Sequence, residues 1–99
     1  MLLNLDKKFI GLDDVEIGGD NIAKFLAVKI CESTELEPEK FSEISKNLYK
    51  NDEVEIDSTD LSKIQKFVES NKSMILLLKS QILNSLEECR LRNLTKDVK

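Results

Sequence analysis

The sequence predicts an α+β fold in which an N-terminal β-hairpin packs on about four α-helices. Near the N-terminus apolar and polar residues alternate, and this period of two is typical of strands. Farther along, apolar residues recur every three or four positions, as they do in amphipathic helices. The chain has 99 residues, 40% apolar and 34% charged. This composition predicts one compact α+β domain over residues 1–91 and a basic, frayed C-terminal tail over residues 92–99.

The hairpin is predicted at residues 2–9 and 15–17, joined by a loop that begins GLDD. All three glycines of the chain lie between positions 11 and 19, so the sharpest turns belong to this section. A short strand at residues 54–56 can join the hairpin as a third strand. The apolar residues that define the hairpin's period of two are Leu3, Leu5, Phe9, Val15 and Ile17.

Two helices follow the hairpin. The first begins at Asp20 or Asn21, because either side chain can accept a hydrogen bond from a free backbone N–H. The second opens at Glu37 and Pro38, since proline suits the first helical turn, where its missing N–H is not needed. Apolar residues at helical spacing are Ile22, Phe25, Leu26 and Ile30 in the first helix and Phe41, Ile44, Leu48 and Tyr49 in the second.

A third helix is predicted to begin at residues 57–58 and to end within residues 70–73. The fourth runs from about Met74 to Leu91. Its first five residues are all apolar and point in every direction at ~100° per residue, so we expect the first turn to be enclosed on all sides. A second copy of the chain would supply that cover, which predicts a homo-oligomer. The oligomer-interface candidates are Met74, Leu77, Leu78, Ile82 and Leu86.

The acidic stretch KNDEVEIDSTD, residues 50–60, resembles a metal site in composition but not in spacing. A calcium-binding EF-hand loop needs oxygen ligands at its first, third and fifth positions and glycine at its sixth. Counted from Asp57, the fifth and sixth positions are Leu61 and Ser62. The stretch instead predicts a strand with an exposed acid, followed by a helix start whose acids complement the helix dipole.

No other metal, cofactor or catalytic set is predicted. The chain has no histidine, which excludes Ser-His and Cys-His pairs. Cys31 and Cys89 are 58 positions apart, and we expect each to be a small buried hydrophobe rather than half of a disulfide. The segment IGGDNIAK lacks the spacing of phosphate-binding loops, and its Asp20 would repel a phosphate. We therefore predict a protein that is not an enzyme and has no catalytic residues.

Charge is distributed unevenly along the chain. Residues 1–57 carry 14 acidic and 7 basic side chains, whereas residues 58–99 carry 5 acidic and 8 basic ones. Direct nucleic-acid binding is disfavoured, because it requires a basic stripe that neutralises phosphates. An acidic face can instead meet a protein partner with a basic surface, although an ordinary solvated surface explains the same charges. The partner-binding candidates are Glu35, Glu37, Glu39, Glu43, Asp52, Glu53 and Glu55.

The sequence predicts a cytoplasmic protein without a membrane partner. An aspartate and two lysines in the first eight residues do not fit a signal peptide. The longest apolar run, residues 74–78, is far shorter than the ~20 residues that span a bilayer.

Three segments together resemble small proteins of tailed bacteriophages and prophages. They are KKFIGLDDVEI, NIAKFLA and LYKNDEVEIDSTDLSKIQKFVESNKSMILLLKSQIL, and the similarity covers roughly residues 5–86. The resemblance implies an α+β domain of viral origin. It implies no catalytic or binding residue, since the pattern is one of spacing.

Three functions are compatible with these observations. The favoured one is a phage-type accessory protein that inhibits a host factor, such as an antiviral defence component, by occupying its surface. The second is a virion-assembly or tail-assembly chaperone-like protein. The third is an oligomeric sponge for a small nucleotide signal, with Arg90, Arg92 or lysines lining a pocket between protomers.

Overall fold

The computed structural model describes residues 1–19, 21–33, 36–72 and 74–97, with side chains described as far as residue 92. The elements, in chain order, are β1 (Leu2–Asn4), α1 (Ile22–Cys31), α2 (Pro38–Asn51), β2 (Glu53–Glu55), α3 (Ser58–Ser70) and α4 (Leu76–Asp97). The predicted α+β fold class is confirmed.

The predicted third strand is present, as β2, and pairs with β1 in a two-stranded sheet. The register is antiparallel: Met1 and Ile56 exchange backbone hydrogen bonds of 2.6 and 2.8 Å, and Leu5 N–H donates to the Asp52 carbonyl at 2.9 Å. β1 ends after Asn4 because the chain turns there. The Asn4 side chain accepts from the Asp6 N–H, and the Lys7 N–H donates to the Leu5 carbonyl in a tight turn.

The N-terminal hairpin is shorter than predicted and lies after this turn. An antiparallel bridge joins Ile10 to Glu16. On either side of it, Gly11 N–H donates to the Val15 carbonyl at 2.8 Å and Ile17 N–H donates to the Phe9 carbonyl at 2.7 Å. Residues 2–9 are therefore not one strand: their first part pairs with β2 and their last part forms the hairpin.

The chain folds into two compact units. The α1–α2 unit comprises Asn4–Val54, and the α3–α4 unit comprises Met1–Leu3 together with Glu55–Lys99. The prediction of a single domain over residues 1–91 stays a prediction. Buried apolar residues include Leu5, Phe9, Leu26, Phe41 and Leu48 in the α1–α2 unit and Leu61, Ile64, Val68, Ile82 and Leu86 in the α3–α4 unit.

Local capping explains where the first three helices begin. The Asn21 side chain accepts from the Lys24 N–H at the start of α1, and proline occupies the first turn of α2. At α3, the Asp57 carboxylate accepts from the Asp60 N–H at 2.8 Å while the Asp60 carboxylate accepts from the Asp57 N–H, which is a capping box. The predicted starts are confirmed, although Asp20 lies outside the described residues.

α4 differs from its prediction at both ends. It begins at Leu76 and continues to Asp97, beyond the predicted end at Leu91, because residues 92–97 contain no glycine or proline. Its start is not enclosed on all sides in the described chain, since Ile75 is 61% and Leu76 81% exposed.

The oligomer-interface candidates on α4 stay a prediction, and the chain itself covers most of them. Met74, Ile82 and Leu86 are buried within the protomer, and Leu77 and Leu78 are half-buried. The sequence pattern placed apolar residues around the helix but could not indicate which of them the protomer covers.

The two cysteines are free thiols in different settings. Cys89 is buried, as expected; it donates a hydrogen bond to the Leu2 carbonyl at 3.3 Å, and burial raises the pKa of its thiol. Cys31 is exposed, so its expected burial is wrong. It is the last residue of α1, where the helix leaves the core.

Replacement of two adjacent glycines by alanine tests the hairpin's return to α1. Gly19 has φ of +104°, whereas an added Cβ meets nothing within 4 Å at either Gly18 or Gly19. We therefore expect Gly19→Ala to lower the free energy of unfolding by about 1–2 kcal/mol through backbone strain alone. Gly18→Ala is the matched control and should change it by less than about 1 kcal/mol. Urea denaturation measures the free energy of unfolding of both variants. Equal losses of stability would contradict the positive φ of Gly19.

Candidate protein-binding surface

The hairpin exposes a group of apolar side chains. Leu12 is 93% and Val15 60% exposed, and Ile10 and Ile17 each retain about a third of their accessible area. Single exposed apolar residues are common on protein surfaces, but here four fall within eight positions, and exposed groups of this kind mark interaction sites. Ile10 projects with its bridge partner Glu16 from one face of the hairpin, and Val15 and Ile17 project from the other. We call residues Ile10, Leu12, Asp13, Asp14, Val15, Glu16 and Ile17 the hairpin surface.

The turn of the hairpin has a defined conformation. Asp14 N–H donates to the Gly11 carbonyl at 3.0 Å, and the Asp13 carboxylate accepts from the Val15 N–H at 3.2 Å. Asp14 has φ of +63°, a left-handed conformation that aspartate tolerates better than most residues. A Cβ on Gly11 would lie 2.9 Å from an Asp13 carboxylate oxygen, so glycine permits this close approach. The turn that carries the exposed side chains is therefore fixed by internal hydrogen bonds.

Val15 and Ile17, which the period of two assigns to one face of the hairpin, are exposed. Val15 lies opposite Gly11 across the hairpin, since the Gly11 N–H donates to its carbonyl. Glycine has no side chain that could cover its neighbour. On the opposite strand only Phe9 enters the core, where its ring meets Phe25 edge-on at a centroid distance of 5.3 Å.

The hairpin surface is also acidic. Residues 9–19 contain Asp13, Asp14 and Glu16 and no basic residue. The neighbouring Lys8 ammonium lies 3.4 Å from the Gly19 carbonyl. A partner would therefore meet apolar side chains flanked by three negative charges.

The seven acidic candidates predicted from the sequence have different local roles. Asp52, Glu53 and Glu55 each accept hydrogen bonds from within the chain: Glu53 from the Asn4 side chain at 3.2 Å, and Glu55 from the Met1 amino group at 2.8 Å. Glu37, Glu39 and Glu43 are exposed on the first half of α2 and just before it, while Glu35 lies outside the described residues. Acids near a helix N-terminus are favourable to the helix itself, so their position has a structural explanation.

Asp52 is the centre of a polar network in the α1–α2 unit. Its carboxylate accepts from the Asn21 side chain at 2.9 Å and from the Lys24 ammonium at 3.1 Å. The same ammonium donates to the Tyr49 carbonyl at 2.9 Å and lies 5.2 Å from the centre of the Tyr49 ring. The hydrogen bonds from Asn21 and then Lys24 hold the pKa of the Asp52 carboxyl below its usual value of 3.8, against the opposing effect of burial.

An apolar groove lies between α1 and α2. Its volume is about 310 Å³, and we call it the α1–α2 groove. Val28 and Tyr49 expose 43% and 48% of their area here, although Tyr49 was expected on the apolar stripe of α2. The Cys31 sulfur lies 3.0 Å from the Ser45 hydroxyl oxygen. The lining residues are Ala27, Val28, Cys31, Glu32, Ser45, Lys46, Tyr49 and Lys50.

Within the described part of the chain, no group of three or more histidine, cysteine, aspartate or glutamate side chains could hold a metal ion. None of the described helices combines the length and apolar character needed to cross a membrane.

Comparison with known proteins identifies no relative of this chain. No protein-family profile matches the chain, and neither the curated proteins nor the solved structures include a match.

Sequence reasoning missed the hairpin surface and the α1–α2 groove. A usable signal was present for the first, because GLDDVEIGG places apolar residues between glycines and acids. No comparable signal marked the groove, which depends on how two helices pack.

Asp52→Asn should weaken the pH dependence of stability. A carboxyl whose folded pKa is depressed contributes stability above its unfolded value, near 3.8, and that contribution is lost as the pH falls through the folded value. We expect the variant to be less stable by about 1 kcal/mol at neutral pH and to lose less stability on acidification. Urea denaturation between about pH 6 and about pH 2.5 measures the difference.

Glu43→Gln is the matched control for this prediction, because it removes one exposed negative charge from the same unit. Parallel curves for Asp52→Asn and the unaltered protein would contradict the role given to Asp52.

Proposed function

We propose that this protein is a small, non-enzymatic binding protein that inserts its hairpin surface into an apolar, basic-rimmed groove of a protein partner. The observation that carries the proposal is the exposure of Leu12 and Val15, at 93% and 60%, on a turn flanked by three acids.

The energetic case rests on the apolar side chains. Burying a leucine or valine fully is worth roughly 1.5–3 kcal/mol, and a few such anchors carry most of the affinity of an interface. A turn held by internal hydrogen bonds loses little conformational freedom on binding. The hairpin surface is therefore a preorganised anchor.

The charges specify the chemistry of the partner. Asp13, Asp14 and Glu16 lie within four positions of Leu12 in the sequence, so a partner with lysine or arginine at the groove rim gains electrostatic complementarity. The same charges oppose contact with phosphate-rich nucleic acid. A protein partner with a basic surface fits best.

The resemblance to small phage proteins supports one particular role. We propose that the protein acts in the host cytoplasm as an inhibitor of a host factor, such as an antiviral defence component. Inhibition of that kind requires only that a surface be occupied, which a hairpin anchor can do without a catalytic group.

The proposal is tested by capture followed by reconstitution. The tagged chain is used as bait in phage-infected cells, and a captured protein is then purified and titrated with the chain by calorimetry. We expect Leu12→Ser/Val15→Ser to weaken binding by tenfold to a thousandfold, which is about 1.4–4 kcal/mol, and added salt to weaken the binding of the unaltered chain.

Leu91→Ser is the matched control, since Leu91 is also exposed, at 53%, but belongs to α4. It should bind like the unaltered chain. A partner that binds Leu12→Ser/Val15→Ser with undiminished affinity would refute the role of the hairpin. A tail or capsid component as the partner would replace inhibition with virion assembly, and a captured nucleotide would favour a sponge.

A further inference from the structure

The α1–α2 groove has the chemistry that the hairpin surface requires of a partner. Its exposed apolar side chains are Val28 and Tyr49. The charged residues at its edge are Lys46, Lys50 and Glu32, which leave a net positive charge. The hairpin surface carries exposed apolar residues and three negative charges. The two surfaces are complementary in both respects.

We propose that the hairpin surface of one copy docks into the α1–α2 groove of a second copy of this chain. The inference rests on the proposed function, because it takes the hairpin surface to be a docking element, and it names a second occupant for that element. The interface is heterologous, since one copy contributes the hairpin and the other contributes the groove.

The size of the groove suits this occupant. At about 310 Å³ it lies at the small end of the range of ligand pockets, roughly 300–1,000 Å³. It accommodates the apolar side chains at the tip of a hairpin rather than a whole helix. Leu12 stands at that tip and is the most exposed large apolar side chain of the described residues.

Charge orients the contact. Lys46 and Lys50 are four positions apart on α2 and therefore lie on one face of the helix. Asp14 and Glu16 lie on the hairpin beside its exposed apolar residues. With Leu12 in the groove, these lysines face the hairpin's carboxylates, and salt will weaken the association because the charges are exposed.

Self-association of this kind also predicts a form of regulation. A docked hairpin is unavailable to a foreign partner, so the partner and a second copy compete for the same residues. A docked pair still presents one free α1–α2 groove, on the copy that contributed its hairpin, and one free hairpin surface, on the other copy. Association therefore continues into larger species as the concentration rises, unless a ring closes.

The native Cys31 thiol allows a direct test, because it lines the groove and is exposed. A tagged donor chain carries Cys31→Ser and Leu12→Cys, and it is mixed with an untagged acceptor chain that keeps Cys31. Under mild oxidation we expect a mixed disulfide between the two chains, identified by mass spectrometry of the linked peptides. The use of two chains excludes a bond formed within one molecule.

Two controls separate docking from random collision. A donor with Cys31→Ser and Leu91→Cys presents an exposed thiol on α4 and should cross-link at least tenfold more slowly. An acceptor with Cys31→Ser should not cross-link through the groove. Equal rates for the two donors would overturn the proposal.

A charge exchange provides a second measurement that leaves Leu12 in place. Lys46→Glu/Lys50→Glu reverses the groove's charge, and Asp14→Asn/Glu16→Lys brings the net charge of residues 9–19 from −3 to zero, with asparagine chosen because it tolerates positive φ. Sedimentation should show that each variant alone self-associates at least tenfold more weakly than the unaltered chain, and that an equimolar mixture of the two regains association.

The outcomes distinguish this proposal from the proposed function. An unaltered chain that stays monomeric at millimolar concentration, or whose association survives both variants unchanged, would overturn self-docking while leaving hairpin-dependent capture of a foreign partner intact. If the charge variants lose self-association and their mixture regains it, self-docking is supported. If a foreign partner is nevertheless captured equally well without Leu12 and Val15, the proposed function is refuted.

Discussion

Asp52 joins three segments of the α1–α2 unit through its backbone and its carboxylate. Asp52 ends α2 in a left-handed conformation, with φ of +61°, and its N–H donates to the Leu48 carbonyl. Its carbonyl accepts from the Leu5 N–H, and its side chain accepts from Asn21 and Lys24 at the start of α1. A single residue therefore joins the end of one helix, the start of another and the N-terminal segment. Because Asn21 also caps α1, the network fixes the helix that carries the groove.

The acidic partner-binding candidates predicted from the sequence stay a prediction, and three of them already accept hydrogen bonds within the chain. The Asp52 carboxylate already accepts hydrogen bonds from Asn21 and Lys24, which would compete with a partner for the same oxygen. Glu53 and Glu55 are partly committed in the same way, to Asn4 and to the Met1 amino group. The acids of the hairpin stand beside exposed apolar residues, where a partner gains from both burial and charge.

The predictable parts of the fold are those decided by local chemistry. Asn21, Pro38 and Asp57 indicated helix starts because a cap acts within one turn of its own residue. Burial was less predictable because it depends on distant segments. The run of five apolar residues at 74–78 carries no information about which side the protomer covers, and the structure covers Met74 while leaving Leu76 exposed. The same argument applies to Val15, whose hydrophobicity suggested the core but whose cross-strand neighbour is a glycine.

Exposed apolar side chains on a small acidic protein create a conflict between binding and solubility. The proposed binding requires an accessible hairpin surface, yet apolar patches promote non-specific association. The acids around Leu12 moderate this tendency, since like charges on two copies repel when hairpin meets hairpin. In the proposed self-association, the groove rimmed by Lys46 and Lys50 offers a specific alternative contact. The charge pattern then directs self-contact toward the groove, because the hairpin's carboxylates repel one another and attract the lysines.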